Sequence, residues 1–180
     1  VKYDELPVDI ILFTGVAGAV DEKLKQWDIV VSESLMQHDM DASPLFDKYV
    51  IPALKEKKIF PNKFLFDRTF NGLKESLLNG KLVQFGSLFK GLIVTGDKFI
   101  SDSQVIKKLK RDISGTLAVE MEGAAFAQVA NQEKIDWLVI RVISDDAGEG
   151  AGEEFNDFLE KYKNRSFELI SCFIESLFCE

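Results

Sequence analysis

Two continuous apolar runs constrain the fold of this chain more than any other feature of its sequence. Val8–Thr14 reads VDIILFT, and Trp137–Ile143 reads WLVIRVI, in which Arg141 is the only charged residue. Each run has the length of a strand, and a strand that is apolar on both faces is typical of a sheet with helices packed on both sides. The runs therefore predict an α/β fold.

The remaining segments alternate in the way that such a fold requires. Further strands are predicted at Asp28–Leu35, Gly91–Thr95 and Thr116–Val119, helices at Lys63–Leu78, Ser101–Arg111 and Gly123–Asn131, and a final helix whose apolar stripe extends from Phe155 to Leu177. This alternation favours a mostly parallel or mixed central sheet flanked by helices. A chain of 180 residues without a linker suits a single domain, 1–180.

Composition disfavours several classes of partner. The formal net charge of −8 at pH 7 argues against binding to nucleic acid or to an anionic membrane. No apolar run approaches the roughly 20 residues that span a bilayer, so we expect no membrane span. Cys172 and Cys179 are the only cysteines, and we expect free thiols in a cytoplasmic, reducing compartment. The chain begins without methionine or leader, which leaves export open.

Four glycine-containing segments follow predicted strands. They are TGVAG (14–18), TGDKFI (95–100), VEMEG (119–123) and ISDDAG (143–148). A single turn of this kind is more often plain backbone geometry than a ligand cradle. The carboxyl ends of parallel strands, however, meet at one edge of a sheet, where ligands bind. The four segments together predict a binding site, and we expect Val16, Ala17 and Gly18 to line it.

Acidic residues are concentrated in the last two of these segments. Glu120 and Glu122 point to the same side if the backbone leaving the strand is extended, and only one of the adjacent Asp145 and Asp146 can face the same pocket. We expect Arg141 to neutralise one glutamate, preferably Glu120, as a buried ion pair. One arginine does not balance four acids, so the others are candidates for chemistry.

The sequence lacks the residues that several other classes of active or binding site require. His38 is the only histidine and no serine lies in G-x-S-x-G, which disfavours a Ser-His-Asp hydrolase. The sequence has no G-x-x-x-x-G-K-[ST] loop and no G-x-G-x-x-G after a strand. The histidine and two aspartates of HDMD (38–41) are more often solvated than bound to a metal. We therefore expect neither a metal nor an organic cofactor.

The motifs FTGVAG, IVTGDKFI, AVEMEGAA and RVISDDAG, in this order, resemble the nucleoside phosphorylase and hydrolase superfamily. The resemblance is in particular to the bacterial 5′-methylthioadenosine/S-adenosylhomocysteine nucleosidases, and it extends from about Val8 to the final helix. QHDMD is similar to that family's loop after the second of these strands. The resemblance implies hydrolysis of the N-glycosidic bond of both nucleosides, which releases adenine and a 5-thioribose product.

The resemblance also implies roles for individual residues. Glu122 accepts hydrogen bonds from the ribose hydroxyls and Met121 packs against the sugar, while Asp145, positioned by Ser144, protonates the purine N7. Further substrate contacts are implied for Phe99, which stacks on adenine, for Ile100, whose backbone reads the edge of the base, for Phe155, which closes over the base or its substituent, and for Glu120.

These roles fit the chemistry of the bond. Cleavage passes through an oxocarbenium-like state, which an anion near the vicinal diol stabilises. Adenine leaves poorly as an anion, so N7 is protonated by a positioned acid, which contributes roughly 10²–10⁴-fold. That acid has to hold its proton near neutrality, and a desolvated site beside another carboxylate favours this.

The first segment favours water over phosphate as the nucleophile, because Val16 can bond phosphate only through its backbone and no arginine lies near it in the sequence. Family enzymes also carry a Gly-Ala-Met-x-x-Glu segment whose glutamate activates the water, and nothing before Val8 resembles it. We therefore expect N-terminal strands to be missing, a βαβ unit of about 30 residues or more. The alternatives are an inactive nucleoside-binding relative and a purine nucleoside phosphorylase.

Residues 39–63 hold three of the four prolines and predict a long excursion from the sheet. In related nucleosidases the matching loop reaches across a two-fold interface and lines the partner's pocket for the 5′-alkylthio group. By this resemblance we expect a homodimer in which Ala42, Leu45 and Phe46 contact a second subunit. The alternative is that Leu45 and Phe46 cap the core of their own chain.

Overall fold

The computed structural model describes residues 7–145 and 151–178. Its elements are, in chain order, β1 (Ile10–Ala19), β2 (Ile29–Gln37), α1 (Lys63–Leu78), β3 (Leu88–Thr95), α2 (Ser103–Asp112), β4 (Thr116–Glu120), α3 (Gly123–Gln132), β5 (Asp136–Asp145), α4 (Ala151–Tyr162) and α5 (Ser166–Phe178). Every predicted strand is present, and α1 has the predicted bounds.

The five strands form one mixed sheet, as predicted, and this sheet closes on itself in the order β1-β4-β3-β2-β5. The pairs β1–β5, β2–β3 and β3–β4 are parallel, whereas β1–β4 and β2–β5 are antiparallel. Closure was not predicted, because apolar runs identify buried strands but do not show which of them pair. A closed sheet leaves no edge with unpaired backbone groups.

The TGVAG segment lies inside β1, so the prediction of a turn after Thr14 is wrong. β1 pairs with β5 from Ile10 onwards, and a register shift between Ala17 and Gly18 places Gly18 opposite Asp145. Gly15 lies opposite Arg141, and a Cβ at position 15 would overlap the guanidinium group. Glycine at this position is therefore explained by a close approach within the sheet and not by a turn.

The predicted final helix is two helices. Residues 163–165 form a turn between α4 and α5, and the Arg165 amide donates to the Tyr162 carbonyl at 3.0 Å. The turn contains the polar sequence Lys-Asn-Arg, which interrupts the apolar stripe. The break lets α4 pack on β5 while α5 packs on α1.

Three apolar clusters lie between the sheet and its helices. α3 presents Ala124, Ala127 and Ala130, whose small side chains let the helix approach the sheet closely. Leu73 of α1, Phe158 of α4 and the neighbouring face of α5 form a second cluster, and α2 contributes to a third. In the described ranges no helix is long and apolar enough to cross a lipid bilayer.

Candidate active site

A cavity of about 140 Å³ lies where the carboxyl-terminal parts of β1, β3, β4 and β5 meet. It is lined by Val16, Ala17, Gly18, Lys98, Phe99, Ile100, Val119, Glu120, Met121, Glu122, Asp145 and Phe155. All except Lys98 and Val119 were predicted from the sequence. The strands converge because β3 and β4 run parallel and β5 runs parallel to β1, so their ends bring distant segments together.

Glu120 is a buried anchor at the base of this cavity, with a side chain only 2% exposed. It accepts hydrogen bonds from the Thr95 hydroxyl and from the Gly123 amide, the latter at 2.8 Å. The Glu122 amide donates to it at 3.2 Å, and the Arg141 guanidinium forms a buried ion pair with it. The predicted Glu120–Arg141 pair is therefore present, and the lone pairs of this carboxylate are occupied by protein donors.

Glu122 has a different environment, although it is only two residues away. It precedes the first residue of α3 and its side chain is 63% exposed. Its Oε2 lies 3.6 Å from Nη2 of Arg141, so both glutamates turn towards the same cation, whereas the sequence predicted a pair with only one of them. Glu122 is consequently the carboxylate that remains accessible to a ligand in the cavity.

The Arg141 side chain is held in place by its contacts with Phe13 and with the neighbouring strand at Gly15. Its guanidinium carbon lies 4.3 Å from the centre of the Phe13 ring, an arrangement that favours a cation. Gly15 leaves room on the opposite strand, and Nε is buried without a hydrogen-bond partner. The arginine is therefore fixed by packing as well as by Glu120.

Asp145 ends β5 and is 3% exposed. The Ser144 hydroxyl lies 2.6 Å from its Oδ2 and 3.3 Å from the Ala17 carbonyl oxygen. When Asp145 is ionised this hydroxyl donates to the carboxylate, and the Ala17 carbonyl offers a second acceptor when the carboxyl carries the proton. Ser144 thus positions Asp145 in either protonation state. Asp146, the alternative acid, lies outside the described residues.

Aromatic side chains form one wall of the cavity. The rings of Phe99 and Phe155 meet edge to face, with centroids 5.8 Å apart. Phe99 and Met121 are both exposed in part, as expected of apolar side chains that face an open cavity. A planar, apolar ligand such as a heterocyclic base is suited to this wall.

HDMD does not form a metal site in the structure. Across residues 7–145 and 151–178, no group of three or more His, Cys, Asp and Glu side chains is placed to hold a metal. The His38 ring packs against Gly96, where a Cβ would overlap it, and the Asp39 carboxylate accepts a hydrogen bond from the Asp97 amide at 2.8 Å. These contacts hold the segment that leads to Phe99. Burial lowers the pKa of His38, and the charge of Asp39 opposes this only in part.

The predicted partner loop projects from the sheet. Leu45 is 85% exposed and does not cap the core of its own chain, while Ala42 and Phe46 are half-buried. The Ala42 carbonyl accepts hydrogen bonds from the Leu45 and Phe46 amides, at 3.1 and 3.2 Å, which form a local turn. The loop therefore offers Leu45 to solvent or to another molecule.

Three residues of the site were missed by the sequence analysis. Lys98 and Val119 line the cavity, and Thr95 links Glu120 to the Ala124 amide, to which its hydroxyl oxygen lies at 2.9 Å. Lys98 lies within TGDKFI and Val119 within VEMEG, so their segments were identified but their side chains were not. The sequence did not predict a role for Thr95, because that role depends on the pairing of β3 with β4, which places Thr95 opposite Glu120.

Comparison with known proteins agrees with this geometry. The model of the Phosphorylase superfamily matches residues 3–175. A 5′-methylthioadenosine/S-adenosylhomocysteine nucleosidase of Staphylococcus epidermidis is 35% identical over 169 residues, which cover 94% of this chain and 71% of that protein.

Solved structures show the same relationship. The 5′-methylthioadenosine/S-adenosylhomocysteine nucleosidase of Colwellia psychrerythraea, in complex with adenine, is 33% identical. Its TM-score is 0.83, over 94% of this chain and 68% of that chain. Futalosine hydrolase of Helicobacter pylori is 30% identical with a TM-score of 0.80 over 93% of this chain and 68% of that chain. The chain belongs to the phosphorylase superfamily and, within it, to the family of the 5′-methylthioadenosine/S-adenosylhomocysteine nucleosidases.

Proposed function

We propose that the protein is a purine-nucleoside N-ribohydrolase that cleaves 5′-methylthioadenosine and S-adenosylhomocysteine, releasing adenine and a 5-thioribose product. The observation that carries this proposal is the convergence of Asp145, Glu122 and the Phe99–Phe155 wall on one cavity. Membership of the nucleosidase family and the similarity to a structure that holds adenine support the choice of substrate.

Asp145 is the general acid in this proposal. Adenine leaves readily only when N7 accepts a proton, and a positioned carboxyl group supplies one. Asp145 is buried, and the Ser144 hydroxyl 2.6 Å from Oδ2 holds its carboxyl group in one orientation. The acid is therefore prepared to donate at a fixed place in the cavity.

Glu122 stabilises the sugar. Its exposed carboxylate can accept hydrogen bonds from the two ribose hydroxyls, and its negative charge favours the positive charge that develops on the ring during cleavage. Arg141, 3.6 Å away, limits the positions that this carboxylate adopts. Met121 and Val119 offer apolar surface to the sugar, and Phe99 with Phe155 offers it to the base.

Water is the proposed nucleophile, and the proposal requires no metal or organic cofactor because side chains perform each assigned step. The residue that activates the water is not assigned among the described residues. One observation favours a phosphorylase as second candidate: Lys98 lines the cavity and provides a cation for a phosphate. The rate of adenine release with and without inorganic phosphate therefore distinguishes the two nucleophiles.

We also propose that the chain acts as one domain, as part of a homodimer in which Ala42, Leu45 and Phe46 line the partner's site. The exposure of Leu45 supports the second subunit, and the closed sheet that joins β1 to β5 supports one domain. Cys172 is a buried free thiol, which fits a reducing, cytoplasmic location. The net charge of −8 supports a small-molecule substrate over nucleic acid.

The test is adenine release by the purified protein from 5′-methylthioadenosine, S-adenosylhomocysteine and futalosine, with and without inorganic phosphate, together with calorimetric binding of adenine. We expect adenine from the first two nucleosides at a rate that phosphate does not change. A rate that depends on phosphate would identify a phosphorylase, and a preference for futalosine would change the substrate. Adenine binding without any turnover would identify a nucleoside-binding relative.

A further inference from the structure

Trp27 has an unusual backbone conformation outside the cavity. Its φ angle is 74°, in the left-handed region that bulky residues rarely adopt. The Asp28 carboxylate fixes the surrounding turn by accepting hydrogen bonds from the Lys25 and Ser87 amides at 2.8 and 2.7 Å. The Trp27 amide donates to the Ile143 carbonyl at 2.9 Å. Such strain persists only where the surroundings impose it, and it is often found at functional sites.

Gln26, the residue before Trp27, contacts β5, the strand that ends with the proposed general acid Asp145. Nε2 of Gln26 donates to the main-chain carbonyl of Ser144 at 2.8 Å, and Ser144 directly precedes Asp145. The Ile143 amide donates in turn to the Asp28 carbonyl at 2.9 Å. The turn therefore binds the last residues of β5 from outside the cavity.

The Trp27 ring contacts the helix that carries Phe155. It packs on Phe158 with centroids 4.2 Å apart, and the Arg165 guanidinium lies 4.5 Å from the centre of the same ring. Phe158 is one helical turn after Phe155 and is 1% exposed, so the contact anchors α4 next to the turn that carries Phe155. Phe155 in turn meets Phe99 across the cavity wall.

We propose that Gln26 and Trp27 are positioning residues for the active site, a role that rests on the proposed function. Gln26 fixes the Ser144–Asp145 segment, and Trp27 fixes α4 and with it Phe155. Neither residue lines the cavity, so each acts through another. The left-handed conformation at Trp27 lets two adjacent side chains reach two different elements, β5 and α4.

The first experiment measures Gln26→Met, which keeps the length of the side chain but removes its donor. We expect kcat for adenine release to fall about tenfold, as for the loss of one positioning hydrogen bond, while KM changes little because the base wall is intact. Gln84→Met is the matched control, since Gln84 also donates through Nε2, to Glu168, but does not line or border the cavity. Equal kcat values for the wild type and Gln26→Met would overturn the role of Gln26.

The second experiment compares Trp27→Gly with Trp27→Phe. Glycine accepts the backbone conformation but removes the ring, so we expect adenine binding to weaken about tenfold, as for the loss of a well-packed aromatic contact, and amide exchange to quicken in α4 but not in α3. Trp27→Phe should retain most of the affinity. Wild-type affinity and α4 protection in Trp27→Gly would overturn the role of Trp27.

A third variant covers the case in which Trp27→Gly does not fold. Arg165→Leu removes the cation from the Trp27 ring and should weaken adenine binding in the same direction by a smaller factor; unchanged binding would contradict the proposal. Adenine binding and exchange do not need turnover, so they test Trp27 even if the wild type releases no adenine. If the wild type is active and the variants match it, the inference fails while the proposed function stands.

Discussion

Glu120 and Glu122 show that position, and not residue type, decides what a carboxylate does in this protein. Glu120 is surrounded by four donors, one of which is the equally buried Arg141, so it is part of the framework. Glu122 keeps an exposed carboxylate at the cavity. The burial of Glu120 has a desolvation cost that its partners offset, whereas the carboxylate of Glu122 stays open to a ligand.

Exchange of each glutamate for glutamine separates these roles. Glu122→Gln should lower kcat by at least about tenfold, because an amide stabilises a cationic sugar less well than a carboxylate, and leave the unfolding free energy nearly unchanged. Glu120→Gln breaks a buried ion pair and should lower that free energy by about 3–5 kcal/mol. Urea unfolding and adenine release measure both. A Glu120→Gln protein that is fully stable but inactive would mean that the roles are reversed.

Asp145→Asn tests the general acid. An amide cannot deliver a proton to N7, so adenine release should fall by roughly 10²-fold or more, whereas adenine affinity should change little because the side chain keeps its shape. The matched control is Asp146→Asn, which we expect to be tolerated. Retention of most of the wild-type rate by Asp145→Asn would contradict the assignment.

His38 gives the stability of the protein a pH dependence near neutrality. Burial lowers its pKa from the ordinary value of 6.5, so the unfolded chain binds a proton before the folded chain does. The unfolding free energy should therefore fall as the pH drops below about 6.5. His38 is the only histidine, and His38→Gln should flatten this fall in urea titrations between pH 7.5 and 5.5. An identical slope in the variant would show that another group is responsible.

At the scale of elements, the site depends on the junction of β3, β4 and α3. Thr95 lies opposite Glu120 in the parallel pair β3–β4, and its hydroxyl donates to that carboxylate and accepts from the Ala124 amide. The first amides of α3 are thus satisfied by side chains of two strands. This arrangement fixes where α3 begins and therefore where Glu122 points.

Thr95→Val tests that junction. The change leaves a buried carboxylate oxygen and the Ala124 amide without one partner each, and should lower the unfolding free energy by about 1–3 kcal/mol. Thr69→Val is the matched control, because the Thr69 hydroxyl is buried without a hydrogen-bond partner and its loss should be neutral or stabilising. Thermal or urea unfolding of both variants measures the difference. Equal effects would mean that the Thr95 hydrogen bonds contribute nothing.

At the scale of the whole molecule, the proposed homodimer depends on the exposed loop at residues 42–46. Leu45 is 85% exposed beside a half-buried Phe46. Phe46→Asp should yield a monomer with weaker binding of 5′-alkylthio nucleosides and nearly normal binding of adenine, measured by sedimentation and calorimetry. Phe64→Asp is the control, as Phe64 is 72% exposed on α1. A wild-type protein that sediments as a monomer at micromolar concentration would exclude the shared pocket.

The sequence by itself determined the strands and most helices, and its resemblance to a known family added most of the residues that line the cavity. Apolar runs such as Trp137–Ile143 are local signals, because burial on both faces favours apolar residues at nearly every position of a strand. Acids that follow a strand, as Glu122 follows β4, were a further local signal, whereas the glycine of TGVAG at position 15 serves the packing of β1 against Arg141. Arg141 inside an apolar run similarly required an acidic partner, and Glu120 provides it.

Only the tertiary structure decided the features that depend on which strands are neighbours. Closure of the sheet, the opposition of Gly15 and Arg141 and the contact of Thr95 with Glu120 follow from register, which a single strand does not encode. The same holds for Trp27, whose left-handed conformation is accompanied by a hydrogen bond from its amide to β5 and by packing of its ring on α4. Local sequence specifies an element through its own side chains, whereas a pairing is specified by the free energy of all elements packed together.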